Sequence, residues 1–372
     1  MTQAELDAAL DRTHTIPIED SAQAPLPANN HAYDPVRNLQ QTGFQITARE
    51  LLHAIGSKTA ALPSTAQDDC LRASLLYTYI LDLTAPHLIF KPGIDSDLQA
   101  PRSQEVGIGM MCLLANRCFN VPWDQLGSLP GRGLRFDYRG QYNGFDGIFE
   151  SKGTSYRSNQ SGQIQHGIEK KEAHHTRGER FNVELIISTF IGRNRDRPRI
   201  VVADPDFDDL AKLYDSSNNR FFRLRHYARV LQFVGLPKSA FLLNRYALDF
   251  LKGYRNVGKT ILNEKENDGY LTTESFQNEK YFGRWFETVV SEGSKRYKED
   301  RYGKDFLSRF NNTQSRKVFQ GMREDVYRAG FNGEPFSQQL LTHQDIETSL
   351  RKIGRPASVF SDGTVQIFSE GD

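Results

Sequence analysis

An Asn-Gly pair at positions 143 and 144 constrains the fold more than any other local feature, because it separates two stretches of alternating apolar and polar residues. Asn-Gly is a preferred pair for a two-residue type I′ turn, in which both residues need a positive φ. The pair predicts a β-hairpin in which Tyr142 faces Phe145. Counting outward in the same register places Asp137 directly opposite Glu150.

The predicted hairpin has an apolar and a charged face, because successive side chains of a strand point to opposite sides of a sheet. Phe136, Tyr138 and Phe149 share the apolar face. The charged face carries Asp137, Glu150 and Lys152. Directly opposed residues have Cβ atoms about 5 Å apart, so the two carboxylates repel each other unless a cation or a proton lies between them.

A divalent metal ion between the two carboxylates would remove this repulsion. Mg²⁺ prefers oxygen ligands, keeps several of its waters and accepts oxygens from phosphate groups. The ion can polarise a phosphoryl oxygen and lower the pKa of a bound water, and a lysine beside the glutamate can stabilise developing charge. A phosphodiester hydrolase needs these components. The structural alternative is an exposed hairpin face with cross-strand ion pairs.

The spacing of Asp137, followed after a gap by Glu150-Ser151-Lys152, resembles the PD-(D/E)xK nuclease superfamily, which has the restriction-endonuclease-like fold. The surrounding elements are similar too, since helical patterns at 101–122 and 161–178 flank the hairpin and two strand-like runs follow. The resemblance covers about a hundred residues, roughly one domain. Phe136 stands where the family's name has a proline, which members often lack.

The resemblance implies a role for each residue of the motif. Asp137 and Glu150 would be ligands of Mg²⁺ (or Mn²⁺), and Lys152 would be the catalytic lysine. Glu105 matches a further metal-binding glutamate on the first helix, although an acid in a first helical turn is also favoured by the helix dipole. The polar residue that many members carry on the helix after the motif is best matched by Gln165, with Gln163 as a close rival.

With 372 residues, the chain has room for two or three domains. We expect an α/β fold with a restriction-endonuclease-like core, in which helices flank a central mixed sheet, and with helical extensions at both ends. The expected regions are an N-terminal arm and helical region at 1–100, the nuclease-like core at 101–206 and a mainly helical C-terminal domain at 207–372. Within the last region, a hairpin is predicted around Asp362 and Gly363.

Composition limits the protein's environment and partners. The net charge is only +1, so any attraction for nucleic acid must come from local basic clusters. The three cysteines have no CxxC spacing, and the polar N-terminus does not resemble a signal peptide. Because the longest apolar run is shorter than the about 20 residues that span a bilayer, we expect a cytoplasmic protein without membrane contact.

Basic residues at positions 220, 223, 225 and 229 alternate with Phe221, Phe222, His226 and Tyr227, a pattern that could hold phosphates and stack bases.

His174 and His175 are predicted to form a solvated helix end. The acids from Asp204 to Asp209 are predicted to form a turn with helix-capping residues.

These features together predict a metal-dependent endonuclease that acts on nucleic acid, with DNA as the expected substrate. Only the resemblance suggests bacterial defence or restriction. One alternative is a nucleotide hydrolase or sensor that uses Gly253–Thr260, which matches the P-loop pattern but follows a helical rather than a strand pattern. The other is a non-catalytic nucleic-acid-binding module. Self-association or a partner protein remains an open alternative.

Overall fold

A computed structural model of the protein describes residues 2–28, 30–59, 77–94, 96–129, 136–142, 145–176, 181–192, 196–204, 219–251, 272–276, 279–288, 316–326, 357–360 and 362–370. Its helices are α1 (Gln3–Leu10), α2 (Tyr33–Thr42), α3 (Ala48–Thr59), α4 (Tyr77–Ile80), α5 (Ser96–Phe119), α6 (Asn159–Thr176), α7 (Asn219–Phe233) and α8 (Pro237–Leu251). Its strands are β1 (Thr13–Ile16), β2 (Ile18–Asp20), β3 (Phe44–Thr47), β4 (Leu126–Ser128), β5 (Tyr138–Tyr142), β6 (Phe145–Thr154), β7 (Val183–Phe190), β8 (Arg199–Ala203), β9 (Thr272–Phe276), β10 (Glu279–Thr288), β11 (Arg316–Arg323), β12 (Ala357–Val359) and β13 (Thr364–Glu370).

A mixed sheet of six described strands, in the order β2-β8-β7-β6-β5-β4, forms the centre of the molecule. The pairs β2–β8 and β6–β7 are parallel, and the other neighbours are antiparallel. The predicted order of helix, hairpin, helix, strand and strand is confirmed by α5, β5–β6, α6, β7 and β8. The sheet is therefore mixed in strand direction, as the sequence predicts.

Helices α5 and α6 cover opposite faces of this sheet. Phe149 and Leu185 pack in the same apolar cluster as Val106 of α5. Ile148, one residue before Phe149, packs in a second cluster with Ile164 of α6. Because adjacent strand residues point to opposite sides, these clusters identify the α5 side and the α6 side of the sheet. The predicted arrangement of a central sheet flanked by helices is confirmed.

The N-terminal region contributes a strand to the central sheet, which differs from the expectation of a surface arm followed by a helical region. Ile18 pairs with Ile200 of β8 in parallel, and β1 pairs with β3 in a small antiparallel sheet. Strand β2 has three residues, which is too short for a recognisable period of alternation. Its place in the sheet depends on a partner about 180 residues away in sequence.

The described residues of the C-terminal region form a sheet as well as helices, whereas the sequence predicts a mainly helical domain. Helices α7 and α8 are followed by an antiparallel sheet of five described strands in the order β12-β13-β11-β10-β9. Tyr281, Phe282, Trp285 and Phe286 have the spacings of three and four that suit a helix. The sheet buries Tyr281 on one side and Phe286 on the other, and a strand buried on both sides loses the alternation that distinguishes it from a helix.

The predicted hairpin around Asp362 and Gly363 is confirmed, because β12 and β13 pair across it and Gly363 has a φ of 79°. The helix predicted before the P-loop-like sequence is also confirmed, as α8. Gly253–Thr260 itself lies outside the described residues, as does Asn143-Gly144. In the described part of the chain, no helix is both long and apolar enough to cross a membrane.

Candidate active site

The register of the β5–β6 hairpin is the predicted one. Tyr142 pairs with Phe145, and pairing continues outward to Tyr138 opposite Phe149. Asp137 lies directly before β5, where its backbone oxygen accepts a hydrogen bond from Leu129 N at 2.9 Å. Its carboxylate oxygen Oδ2 accepts a hydrogen bond from Ser151 N at 3.2 Å. Asp137 is thus tied to the same stretch of β6 that carries the ExK sequence.

The structure brings Asp137, Glu150 and Lys152 together on the α6 side of the sheet. Glu150 is fully buried, and its Oε1 lies 2.6 Å from Lys152 Nζ. Lys170 of α6 lies equally close, with its Nζ 2.6 Å from the same Oε1. The Lys170 Nζ is also 3.3 Å from Asp137 Oδ1. The ammonium group of Lys170 therefore bridges the two carboxylates.

Lys170 changes the electrostatic argument for a metal ion. Two carboxylates and two ammonium groups balance in charge, so the repulsion between Asp137 and Glu150 is already offset by protein groups. The pKa of Glu150 is nevertheless raised, because burial and the Asp137 charge outweigh the attraction of Lys152 and Lys170. The pKa of Lys170 is also raised, because the pull of the two carboxylates outweighs the effect of burial, which acts in the opposite direction.

Among the described residues, no hydrogen-bond donor reaches one carboxylate oxygen of the site. Glu150 Oε2 is buried and receives no hydrogen bond from the described residues, although burying a carboxylate oxygen without a partner is costly. The Asp137 side chain is 36% exposed, which opens the site to solvent on one side. An oxygen-preferring divalent ion would suit these two carboxylates. It would be held mostly by water and substrate oxygens, because the described residues contain no group of three or more His, Cys, Asp or Glu ligands.

Glu105 makes different contacts from those that the resemblance implies. Its carboxylate accepts hydrogen bonds from Arg102 at 2.9 and 3.0 Å. It also accepts one from the Tyr77 hydroxyl. Helix α5, which carries Glu105, covers the face of the sheet opposite to Glu150. Among the described contacts, none joins Glu105 to the two carboxylates.

The structure does not place Gln165 at the site either, because its side chain is exposed on α6. Its rival Gln163 faces the sheet, where Nε2 donates to Gly153 O at 3.1 Å and Oε1 accepts from Ser188 Oγ at 2.9 Å. Lys170 follows Gln163 by seven residues, or about two turns, so both lie on the same face of the helix. Gln165 is rotated away from that face.

Lys170 is the site residue that sequence reasoning missed. The signal that could have identified it is the spacing of Gln163, Gly167, Lys170 and His174 along one face of α6. A Cβ on Gly167 would lie 2.7 Å from Ile186 Cγ2, so glycine lets the helix approach β7 closely. This approach brings Lys170 within reach of the carboxylates.

A second buried polar network lies farther along the same face of α6. Lys171 Nζ donates to Asp204 Oδ1 at 2.6 Å, and Asn30 donates to the other oxygen. Burial raises the pKa of Asp204 to about 6, against the opposing effect of Lys171. Asp204 is thus a buried ion-pair partner rather than a turn residue, whereas the following acids, Asp206, Asp208 and Asp209, lie outside the described residues.

The two histidines at the end of α6 were predicted to be solvated. The structure instead packs them against neighbouring elements. His174 is buried, and its Nε2 accepts a hydrogen bond from Phe136 N at 2.9 Å. His175 Nε2 lies 2.9 Å from Glu184 Oε2. Both rings therefore hold the end of α6 against the sheet and the start of the hairpin.

The aromatic residues of α7 are not available to stack on bases. Phe221, Phe222, His226 and Tyr227 are all buried, and the three aromatic residues other than His226 belong to an apolar cluster between α7 and α8. The suggested alternation of phosphate-binding and base-stacking side chains is wrong for this helix, because its aromatic side chains form the packing face.

No protein-family model, curated protein or solved structure matches this chain.

Proposed function

We propose that this protein is a metal-dependent endonuclease of the PD-(D/E)xK type, with DNA as its substrate. The observation that carries the proposal is that Asp137, Glu150 and Lys152 come together in one site, where Lys152 contacts Glu150 Oε1 and Lys170 links Glu150 to Asp137. In the same site, Glu150 Oε2 is buried and has no hydrogen-bond partner among the described residues. The sequence order of α5, the hairpin, α6, β7 and β8 supports a restriction-endonuclease-like core.

In the proposed reaction, Asp137 and Glu150 would hold the metal ion, with Asp137 on the solvent-exposed side of the site. A bound Mg²⁺ would polarise a phosphoryl oxygen and lower the pKa of a coordinated water. The Lys152 ammonium, held 2.6 Å from Glu150 Oε1, lies where it can stabilise negative charge on the phosphate. Burial of Glu150 strengthens these interactions, because less water screens them.

Cleavage of plasmid DNA with and without Mg²⁺ tests this proposal. Lys152→Ala should lower the Mg²⁺-dependent rate at least about a hundredfold, because it removes a charge that acts on the transition state. Gln165→Ala is the matched control and should leave the rate unchanged, because Gln165 is exposed and turned away from the carboxylates. Thermal unfolding of both variants checks that they fold.

Equal cleavage by wild type and folded Lys152→Ala would refute the proposed role of Lys152. Binding of DNA without cleavage under Mg²⁺ and Mn²⁺ would instead favour the non-catalytic binding module. RNA and single-stranded DNA belong in the same assay, because they identify the substrate class.

A further inference from the structure

The two lysines of the site differ in which carboxylates they contact. Lys152 and Lys170 both place Nζ 2.6 Å from Glu150 Oε1. Lys170 alone also reaches Asp137, at 3.3 Å. A divalent ion shared by Asp137 and Glu150 would compete with the Lys170 ammonium, because both cations need the space between the same two carboxylates. The described contacts join Lys152 neither to Asp137 nor to Glu150 Oε2.

Lys170 can leave the carboxylates only if another anion accepts its charge. Its side chain is 11% exposed, so an unpaired ammonium at this position would be poorly solvated. A phosphate group is such an anion, since lysine binds phosphate as a point charge on a long flexible stem. Lys170 would then contact substrate while the carboxylates become free for the metal ion.

We propose that Lys170 couples the two binding events of the site, so that divalent metal and phosphodiester substrate each strengthen the binding of the other. This inference rests on the proposed nuclease function. Without substrate, Lys170 occupies the space between the carboxylates and keeps metal affinity low. Substrate phosphate draws Lys170 away, and thermodynamic linkage requires that metal binding raise the affinity for substrate by the same factor.

Calorimetric titration with Mn²⁺ tests the coupling without relying on turnover. The titration is run with and without a DNA duplex whose phosphorothioate linkages resist cleavage. For wild type, we expect the duplex to lower the Kd for Mn²⁺ by at least about fivefold, the lower end of typical coupling. For Lys170→Met, which keeps an apolar stem, we expect tighter Mn²⁺ binding without DNA and a smaller ratio of Kd values than in wild type, because only the direct contact between substrate oxygens and the ion then couples the two binding events.

Lys152→Met is the matched control, because it removes a positive charge from the same Glu150 oxygen but not from the space next to Asp137. It should keep the dependence of Mn²⁺ binding on DNA. Lys170→Gln is a second variant with the same expectation as Lys170→Met, in case methionine prevents folding. In wild type, a ratio near one overturns the coupling whatever the variants do.

The outcomes separate this inference from the proposed function. Metal-dependent cleavage together with equal Kd ratios in wild type and Lys170→Met would overturn the coupling and leave the nuclease proposal standing. Loss of Mn²⁺ binding in folded Lys170→Met would also overturn it, because Lys170 would then support the ion rather than compete with it. Absence of both Mn²⁺ binding and cleavage in wild type would overturn the nuclease proposal itself.

Discussion

Hydrogen bonds determine how a buried carboxylate behaves in this protein. Asp362 and Glu150 are both almost completely buried. Burial acts to raise the pKa of Asp362, but hydrogen bonds from His226 and Thr364 outweigh it and hold the pKa at about 2. Burial and the nearby Asp137 charge raise the pKa of Glu150, and one of its oxygens has no hydrogen-bond partner among the described residues. Asp362 is therefore ionised throughout the neutral pH range. The buried charge of Glu150 is less well stabilised, which is typical of a group that binds a ligand.

His53 gives a prediction for the pH dependence of stability. The ring stacks on Phe360 at 3.9 Å, its Nδ1 lies 2.9 Å from Ser358 Oγ, and burial lowers its pKa to about 3. The unfolded chain takes up a proton near pH 6.5, so His53 destabilises the folded state as the pH falls below 6.5. From pH 7 to pH 5 this residue should remove about 2 kcal/mol.

Thermal or urea unfolding at the two pH values measures this effect. His53→Gln cannot titrate and keeps a polar group near Ser358, so its stability should fall less between pH 7 and pH 5. The exposed His166 provides the control, His166→Gln, whose loss of stability should equal that of wild type. Equal losses in His53→Gln and wild type would contradict the prediction.

At the scale of secondary-structure elements, the contact between α5 and β6 holds the ExK strand in place. The backbones nearly touch beside Lys152, because a Cβ on Gly153 would lie 1.7 Å from Ser103 O. A Cβ on Gly107 would lie 2.8 Å from Lys152 O. These glycines permit an approach that any larger residue would block.

Gly153→Ala should therefore destabilise the protein by about 3 kcal/mol or more, because the obstacle is backbone that cannot move aside. Gly162→Ala is the matched control on the exposed face of α6, where an added Cβ meets nothing within 4 Å. It should stabilise the protein by about 0.5–1 kcal/mol, since alanine is the better helix former. Chemical unfolding measures both changes, and similar values for the two variants would refute the packing argument.

At the scale of the whole molecule, a buried polar chain joins segments distant in sequence. Lys58 of α3 donates to Trp123 O at 2.6 Å and lies 3.1 Å from His226 Nδ1. The opposite nitrogen of His226 lies 2.8 Å from Asp362 Oδ2 in the turn before β13. Helices α3 and α7, the short 3-10 helix Trp123–Gln125 and the turn before β13 are thus linked through groups that are costly to leave unpaired.

Asp362→Ala should lower stability by about 3–5 kcal/mol, because it leaves buried partners without an acceptor. Asp325→Ala is the control, since Asp325 pairs with Arg323 on the surface and its loss should cost less than about 1 kcal/mol. Tryptophan fluorescence reports the unfolding, because Trp123 contacts Lys58 and Trp285 lies in β10. A small effect of Asp362→Ala would show that the chain is not needed to hold these segments together.

Local signals made the centre of the fold predictable from sequence. The Asn-Gly pair predicts the hairpin register from a few residues, and the observed pairing of Tyr142 with Phe145 agrees with it. Asp137, Glu150 and Lys152 could therefore be placed on one face before any tertiary contact was known. The β-branched residues of β7 likewise predict a strand. The sequence did not predict strands β2 and β10. Strand β2 is too short to show an alternation of apolar and polar residues, and β10 is buried on both sides, which removes that alternation.

The sequence by itself determined which groups of the hairpin face each other, because strand register depends on neighbours along the chain. Only the tertiary structure decided what lies between the two carboxylates. Lys170 reaches them because Gly167 lets α6 lie close to β7, and Glu105 does not because α5 covers the other side of the sheet. Such contacts depend on how close two elements approach and on which face each one covers, and no local pattern specifies either.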